Sequence, residues 1–190
     1  MGSPFLYFAD ERLSIAELSA ARLDGDLVEL GEAYIPADAV ETRALRAGSL
    51  RSILGDTLAA THLSAAWVHG ALHDPPARHT VQRAVARRLH HVMGRRFVYR
   101  DLSVDVDDLL VLGGVWVTTP VRTLADLVRV PDPSHRYAAA LMAAADPQLP
   151  AEAIDWLRRH PSLPHKRAAL AALEAVVAGG PLREVALRTT

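Results

Sequence analysis

The stretch from Leu109 to Val130 constrains the fold most. Leu109 to Leu112 and Val115 to Val117 are short apolar strands separated by Gly113-Gly114. Paired glycines supply the positive φ values of a tight hairpin, so the two strands pair back on each other. Thr119-Pro120 follows at once. Threonine suits an N-cap and proline the first helical position, so a helix is expected to about Val130. A hairpin that feeds directly into a helix places the chain in the α+β class.

The remaining elements fit that class. Ser14-Ile15-Ala16-Glu17 reads as a capping box, opening a helix that ends near Gly25. Leu27 to Leu30 and Ala33 to Ile35 flank Gly31-Glu32 as a second hairpin, followed by a linker from Pro36 to Val40. Helical spacing is expected over 41–54 and 63–72, with stops at Gly55 and at His73-Asp74-Pro75-Pro76. Residues 79–93 fit both a helix and, at their start, a strand. Phe97 to Arg100 reads as a strand. Three helices close the chain, at about 134–145, 150–159 and 164–178.

Composition removes several functions. Half of the 190 residues are hydrophobic and 23% are charged, enough to build a core and unlike a disordered tail. With no cysteine, disulfides, thiolate metal sites and a cysteine nucleophile are excluded. No apolar run reaches the roughly 18 residues of a membrane span. Phe5-Leu6-Tyr7-Phe8 is too short, and lacks the basic flank, for a signal peptide. The expected compartment is the cytoplasm, with no membrane partner. No glycine-rich phosphate loop, nucleophile elbow or catalytic carboxylate pair stands out, and no cofactor or metal is expected.

The net charge of −1 conceals a polarity. Residues 1–41 hold nine acids against Arg12 and Arg22. Residues 78–100 hold Arg78, Arg83, Arg87, Arg88, Arg95, Arg96 and Arg100 and no acid. Such blocks govern partners more than fold. The seven arginines are the candidate nucleic-acid contacts, since guanidinium groups on one surface can engage phosphates bidentately. The competing readings are a solvated face or self-neutralisation by the acids of 1–41 and 101–108. Asp101, Asp105, Asp107 and Asp108 read as an exposed acidic loop. His69 and His73 stand at a metal-ligand spacing without a third ligand, so His69 reads as a packed histidine bonded to backbone. Arg122, Thr123 and Asp126 form a second cluster, with Asp126 four residues beyond Arg122 and within ion-pair reach. This cluster either pins its helix to the sheet or forms a partner contact.

Three segments carry a resemblance. Ser14 to Pro36, a helix, turn and hairpin that include "ELSAARLDGDLVELGEAYIP", resemble the end of a winged helix-turn-helix. "LSAAWVHGAL" at 63–72 and "GGVWVTTPVRTLADLVRV" at 113–130 are similar to signatures of AbiEi-like antitoxins of type IV toxin–antitoxin systems, a family common in actinobacteria. The resemblance implies a DNA-binding N-terminus that represses its own promoter, an antitoxin domain, and a nucleotidyltransferase-like toxin as partner. Residues 165–188 resemble the entry to a Vsr-like endonuclease domain whose acidic core is not in this chain. The expected organisation is a truncated winged-helix-like segment at 1–40 and an antitoxin domain at 41–190, with 131–190 as its C-terminal helices. The fold expected is therefore α+β: a short, degenerate winged-helix-like N-terminus, a small mixed sheet and a C-terminal helical segment. The acidity of 1–41 opposes DNA contact there, because affinity for phosphates rests on Arg and Lys. Two functions stay open: a non-enzymatic regulator binding DNA, a toxin or both, and a protein-interaction scaffold without nucleic-acid binding.

Overall fold

The computed structural model describes residues 4–10, 13–89 and 95–180. Helix α1 (Ile15–Leu23) opens on the expected capping box. The Ser14 hydroxyl accepts from the Glu17 amide at 3.2 Å, and the Glu17 carboxylate accepts from the Ser14 amide at 2.8 Å. Strands β1 (Leu27–Leu30) and β2 (Ala33–Pro36) then form the first hairpin, Leu30 opposite Ala33. Gly31 turns at φ +57°, and a Cβ there would stand 2.5 Å from the Ser49 hydroxyl. The hairpin tip thus lies hard against the next helical segment.

That segment is not the single helix expected over 41–54. It breaks at Leu50 into α2 (Arg43–Ser49) and α3 (Arg51–Leu54). Gly48-Ser49 are weak helix formers, while Leu50 is wholly buried and anchors the break in the core. The tip of the second hairpin also lands on α2. Gly113 has φ +55°, and a Cβ there would stand 2.6 Å from the Gly48 amide nitrogen. Only glycine meets both the left-handed backbone and this close approach.

A five-stranded mixed sheet follows, ordered β5-β4-β3-β7-β6. Its strands are β3 (Leu58–Ala60), β4 (His79–Arg83), β5 (Phe97–Ser103), β6 (Leu109–Leu112) and β7 (Val115–Thr118). Strands β3 and β7 run parallel, as do β4 and β5, whereas β3–β4 and β6–β7 are antiparallel. Strand β3 was not anticipated. The ambiguity at 79–93 resolves to a strand over 79–83 and bends over 84–87. Positions 90–94 lie outside the described residues.

Helix α4 (His62–Val68) stops before His69, with Gly70 at φ +91°. It stands between two cores. Ala65, Trp67 and Val68 pack with the sheet, α2, α3 and the first hairpin's Leu30 and Ile35. Ala66 packs with α5 (Pro120–Val128), α6 (Pro133–Ala145), α7 (Leu149–Arg159) and α8 (Lys166–Val177). Burying a side chain the size of leucine contributes ~1.5–3 kcal/mol, so one helix gives both layers a common anchor.

Candidate functional site

Helix α5 begins as expected, with the Thr119 hydroxyl accepting from the Arg122 amide and proline in its first turn. The next turn points inward. Arg122 is 9% exposed and Asp126 is fully buried. The Arg122 guanidinium donates from Nε to Asp126 at 2.9 Å and from Nη1 to Asp108 at 2.7 Å. Asp108 also accepts from the Trp156 indole of α7 at 2.7 Å. The guanidinium lies 4.9 Å from the centroid of the same indole, a cation–π contact. Arg129 closes the knot by pairing with the other oxygen of Asp126. Two carboxylates and two guanidiniums neutralise one another, which makes their burial tolerable.

The charges follow that geometry. Burial pushes the Asp126 carboxyl up, but His62, Arg122 and Arg129 outweigh it and the net shift is downward. Burial opposes the charged Arg122, but Asp126 and Asp108 reverse that and hold it more firmly protonated. Beside them, Thr123 is buried and its hydroxyl lies 2.7 Å from that of Thr118.

Three histidines are buried nearby. His62, at φ +50°, is 2% exposed and faces His135 edge-on at 6.0 Å. Burial depresses its pKa to about 4; Asp126 opposes the shift, while Arg100, His135 and Arg129 add to it. His69 donates from Nε2 to the Thr118 carbonyl at 2.8 Å, and burial lowers its pKa too. It is thus the packed, backbone-bonded histidine expected. His79 sits 3.1 Å from the Ser64 hydroxyl and is likewise lowered by burial. No three His, Asp or Glu side chains converge as a metal site among the described residues.

The arginine block does not form one patch. Arg78 precedes β4, and Arg95 and Arg96 precede β5. Because β4 and β5 are parallel, these three lie at one end of the strand pair. Arg87 and Arg88 follow β4 and lie at the other, roughly 15 Å away at ~3.3 Å per residue. Five are exposed, namely Arg78, Arg87, Arg88, Arg95 and Arg96, and Arg100 is half-buried on β5. Arg83 is turned inward, 3.0 Å from Asp101, and donates to the Ala86 carbonyl at 2.7 Å. Arg88 approaches the same Asp101 at 3.8 Å, and Arg78 donates to the Phe97 carbonyl at 2.9 Å. Arg96 reaches across to Glu32 in the first hairpin's turn.

A cleft of about 400 Å³ opens there, between α1 and the hairpin, with Arg96 at its rim. Leu18, Ala33 and Tyr34 line it with Ile15, Glu29 and Glu32.

Spacing found Arg122 and Asp126 but missed Asp108 and Trp156. Asp108 corrects the reading of 101–108 as one exposed acidic loop. Asp105 caps the 3-10 turn Val106–Asp108, and that turn carries Asp108 inward to the guanidinium. Its only signal was the apolar run that starts at Leu109.

The fold is of the α+β class, and its central polar residues are bonded to one another. The model of the AbiEi antitoxin C-terminal domain matches residues 58–157, more than half of the chain, and the chain belongs to that family. The match spans the sheet and the helices that carry the buried knot. The crystal structure of RV2827C protein from Mycobacterium tuberculosis is similar at 18% identity, covering 82% of this chain and 68% of that chain with a TM-score of 0.34. No curated protein matches. No helix among the described residues is long and apolar enough to cross a membrane.

Proposed function

We propose that the chain is a non-enzymatic, antitoxin-type regulator that acts in the cytoplasm by binding a protein partner. The supporting observation is the closed knot in the matched region. Arg122, Thr123 and Asp126 direct their polar atoms at one another, at Thr118, at Asp108 and at Arg129. A cluster with its bonding capacity used up inside the fold holds a binding surface in shape. On this reading residues 41–190 are the antitoxin domain, with 131–190 as its helices and 1–40 as a winged-helix-like appendage. The partner is a nucleotidyltransferase-like toxin, as the family resemblance implies. Co-expression with such a toxin encoded beside this gene is expected to restore growth and yield a co-purifying complex. Growth arrest with no complex overturns the reading.

A second reading, DNA binding at the chain's own promoter, rests on the five exposed arginines at the two ends of β4–β5. A gel shift across a salt series tests it. Replacing Arg87 and Arg95 by alanine is expected to flatten the slope of log affinity against log salt by about 2, close to one per lost phosphate contact. An unchanged slope, or no shifted band, removes DNA from the function.

A further inference from the structure

Strand β5 closes one side of the sheet, and no strand among the described residues lies beyond it. The His79 amide donates to the Arg96 carbonyl, and His79 stands opposite Phe97. In a parallel ladder of that register Val98 and Arg100 turn their backbone groups to β4, while Tyr99 and Asp101 turn theirs outward. The outer edge of β5 is thus a row of backbone donors and acceptors open to a further strand. Alternate side chains of a strand share a face. Phe97 and Tyr99 pack against the core on one side, which leaves Val98, Arg100 and Leu102 together on the other. Val98 is 37% exposed and Leu102 is 61% exposed.

Arg100 is the charged centre of that row. Arg78, Arg83, Arg88 and Arg96 each reach an acceptor inside the molecule. The Arg100 guanidinium has none among the described residues, and its buried Nε is left without a hydrogen bond. Gln82, its register partner on β4, keeps its own side-chain carbonyl unbonded, so β4 does not hold the guanidinium either. A donor withdrawn from water without an acceptor is costly, and an incoming carboxylate would remove that cost.

We infer that the β5 edge takes up an extended segment of a protein partner as a sixth strand, one in which an acidic residue stands between two aliphatic residues at alternate positions. Main-chain hydrogen bonds along the edge supply the hold, and alternate side chains supply the selectivity. A carboxylate opposite Arg100 pairs with the unpartnered guanidinium. The aliphatic side chains on either side cover Val98 and Leu102. Nucleic acid is disfavoured, because successive phosphates need successive cations, and Arg100 is flanked on this face by two apolar residues. The inference rests on the protein-partner reading and gives that partner a docking edge and a sequence pattern.

The test uses the full chain and a labelled seven-residue peptide of threonine carrying valine, glutamate and valine at its second, fourth and sixth positions. Fluorescence anisotropy reads affinity, and amide hydrogen exchange reads the edge. Saturable binding is expected, with slowed exchange at the outward-facing Tyr99 amide. Lysine in place of the peptide's glutamate is expected to weaken binding about ten-fold or more, and Arg100→Glu to reverse that preference. Leu102→Glu is expected to cost about ten-fold as well. Leu102 is exposed, so this variant should keep the parent melting curve. Val177→Ser, at an exposed apolar position ending α8, should bind like the parent. Three outcomes overturn the inference: no saturable binding, equal affinity for the glutamate and lysine peptides, or bound peptide with Tyr99 exchange unchanged. Single-stranded DNA that displaces the peptide also overturns it, assigning the edge to nucleic acid. Self-association of the chain that Leu102→Glu abolishes overturns it in favour of a second copy. A toxin that co-purifies undiminished with Leu102→Glu while the peptide is ignored sinks the edge alone. Peptide binding without any toxin complex sinks the assigned toxin and leaves the edge standing.

Discussion

The knot around Arg122 and the rim around Glu29 use the same ingredients, guanidinium and carboxylate, in opposite surroundings. In the knot the Arg122 side chain is 11% exposed and its partner Asp126 is 0%. At the rim Arg22 and Glu29 are 47% and 61% exposed. Exposed pairs of this kind contribute ~0–1 kcal/mol, so they are readily exchanged for contacts with water. The buried set cannot be exchanged, because each group there is compensated only by its neighbours. One region therefore keeps the shape of the molecule, and the other contributes little to it.

The comparison breaks most easily at Arg122. Arg122→Met leaves Asp108 without its cation and Asp126 with Arg129 alone, and the expected loss is about 3–5 kcal/mol of unfolding free energy by urea titration. A loss under about 1 kcal/mol would put the knot in the same class as the rim. His62 gives the next effect. Its pKa falls from 6.5 unfolded to about 4 folded, so the unfolded chain binds the proton more readily between those values. The stabilising share of the neutral ring is complete above about pH 6.5 and is lost as the pH drops toward 4, amounting to about 3 kcal/mol. Thermal melts of the parent and His62→Asn across that window check it. The variant should lose this part of the slope while keeping the parts due to His69 and His79, and parallel curves would refute the assignment. The smallest effect belongs to Arg96→Gln. Breaking its pair with Glu32 should shift stability by less than ~1 kcal/mol, and a larger loss would make the cleft rim a structural lock.

Much of this architecture was readable along the chain because its causes are local. A capping box depends on residues three apart, and Ser14 and Glu17 meet as expected. A two-residue turn fixes its own hairpin, so Leu112 pairs with Val115 and Leu30 with Ala33. Where the cause was distant, the reading faltered. Leu58–Ala60 is three residues with two alanines, which carry no strand preference; they become a strand because Val81 and Val117 flank Ala60 in the sheet. Val81, Val85 and Leu89 repeat with helical spacing, yet 79–83 pair with β5 and the period has no structural meaning there.

The candidate site divides in the same way. The Arg122–Asp126 pair lies on one helix, four residues apart, and its contact follows from 3.6 residues per turn. Asp108 and Trp156 stand 14 residues before and 34 residues after Arg122 in the sequence, and nothing in their local spacing joins them. The acidic beginning and the arginine block were likewise plain as charge, but charge along a chain carries no direction. Pairing β4 parallel to β5 sent the arginines to opposite ends, turned Arg83 inward and brought Arg96 to Glu32. Sequence alone thus determined the local elements and the sign of each segment's charge, since both depend on neighbours within a turn or two. Which of those charges face water, and which neutralise one another inside, was decided only when distant segments packed together and excluded solvent between them.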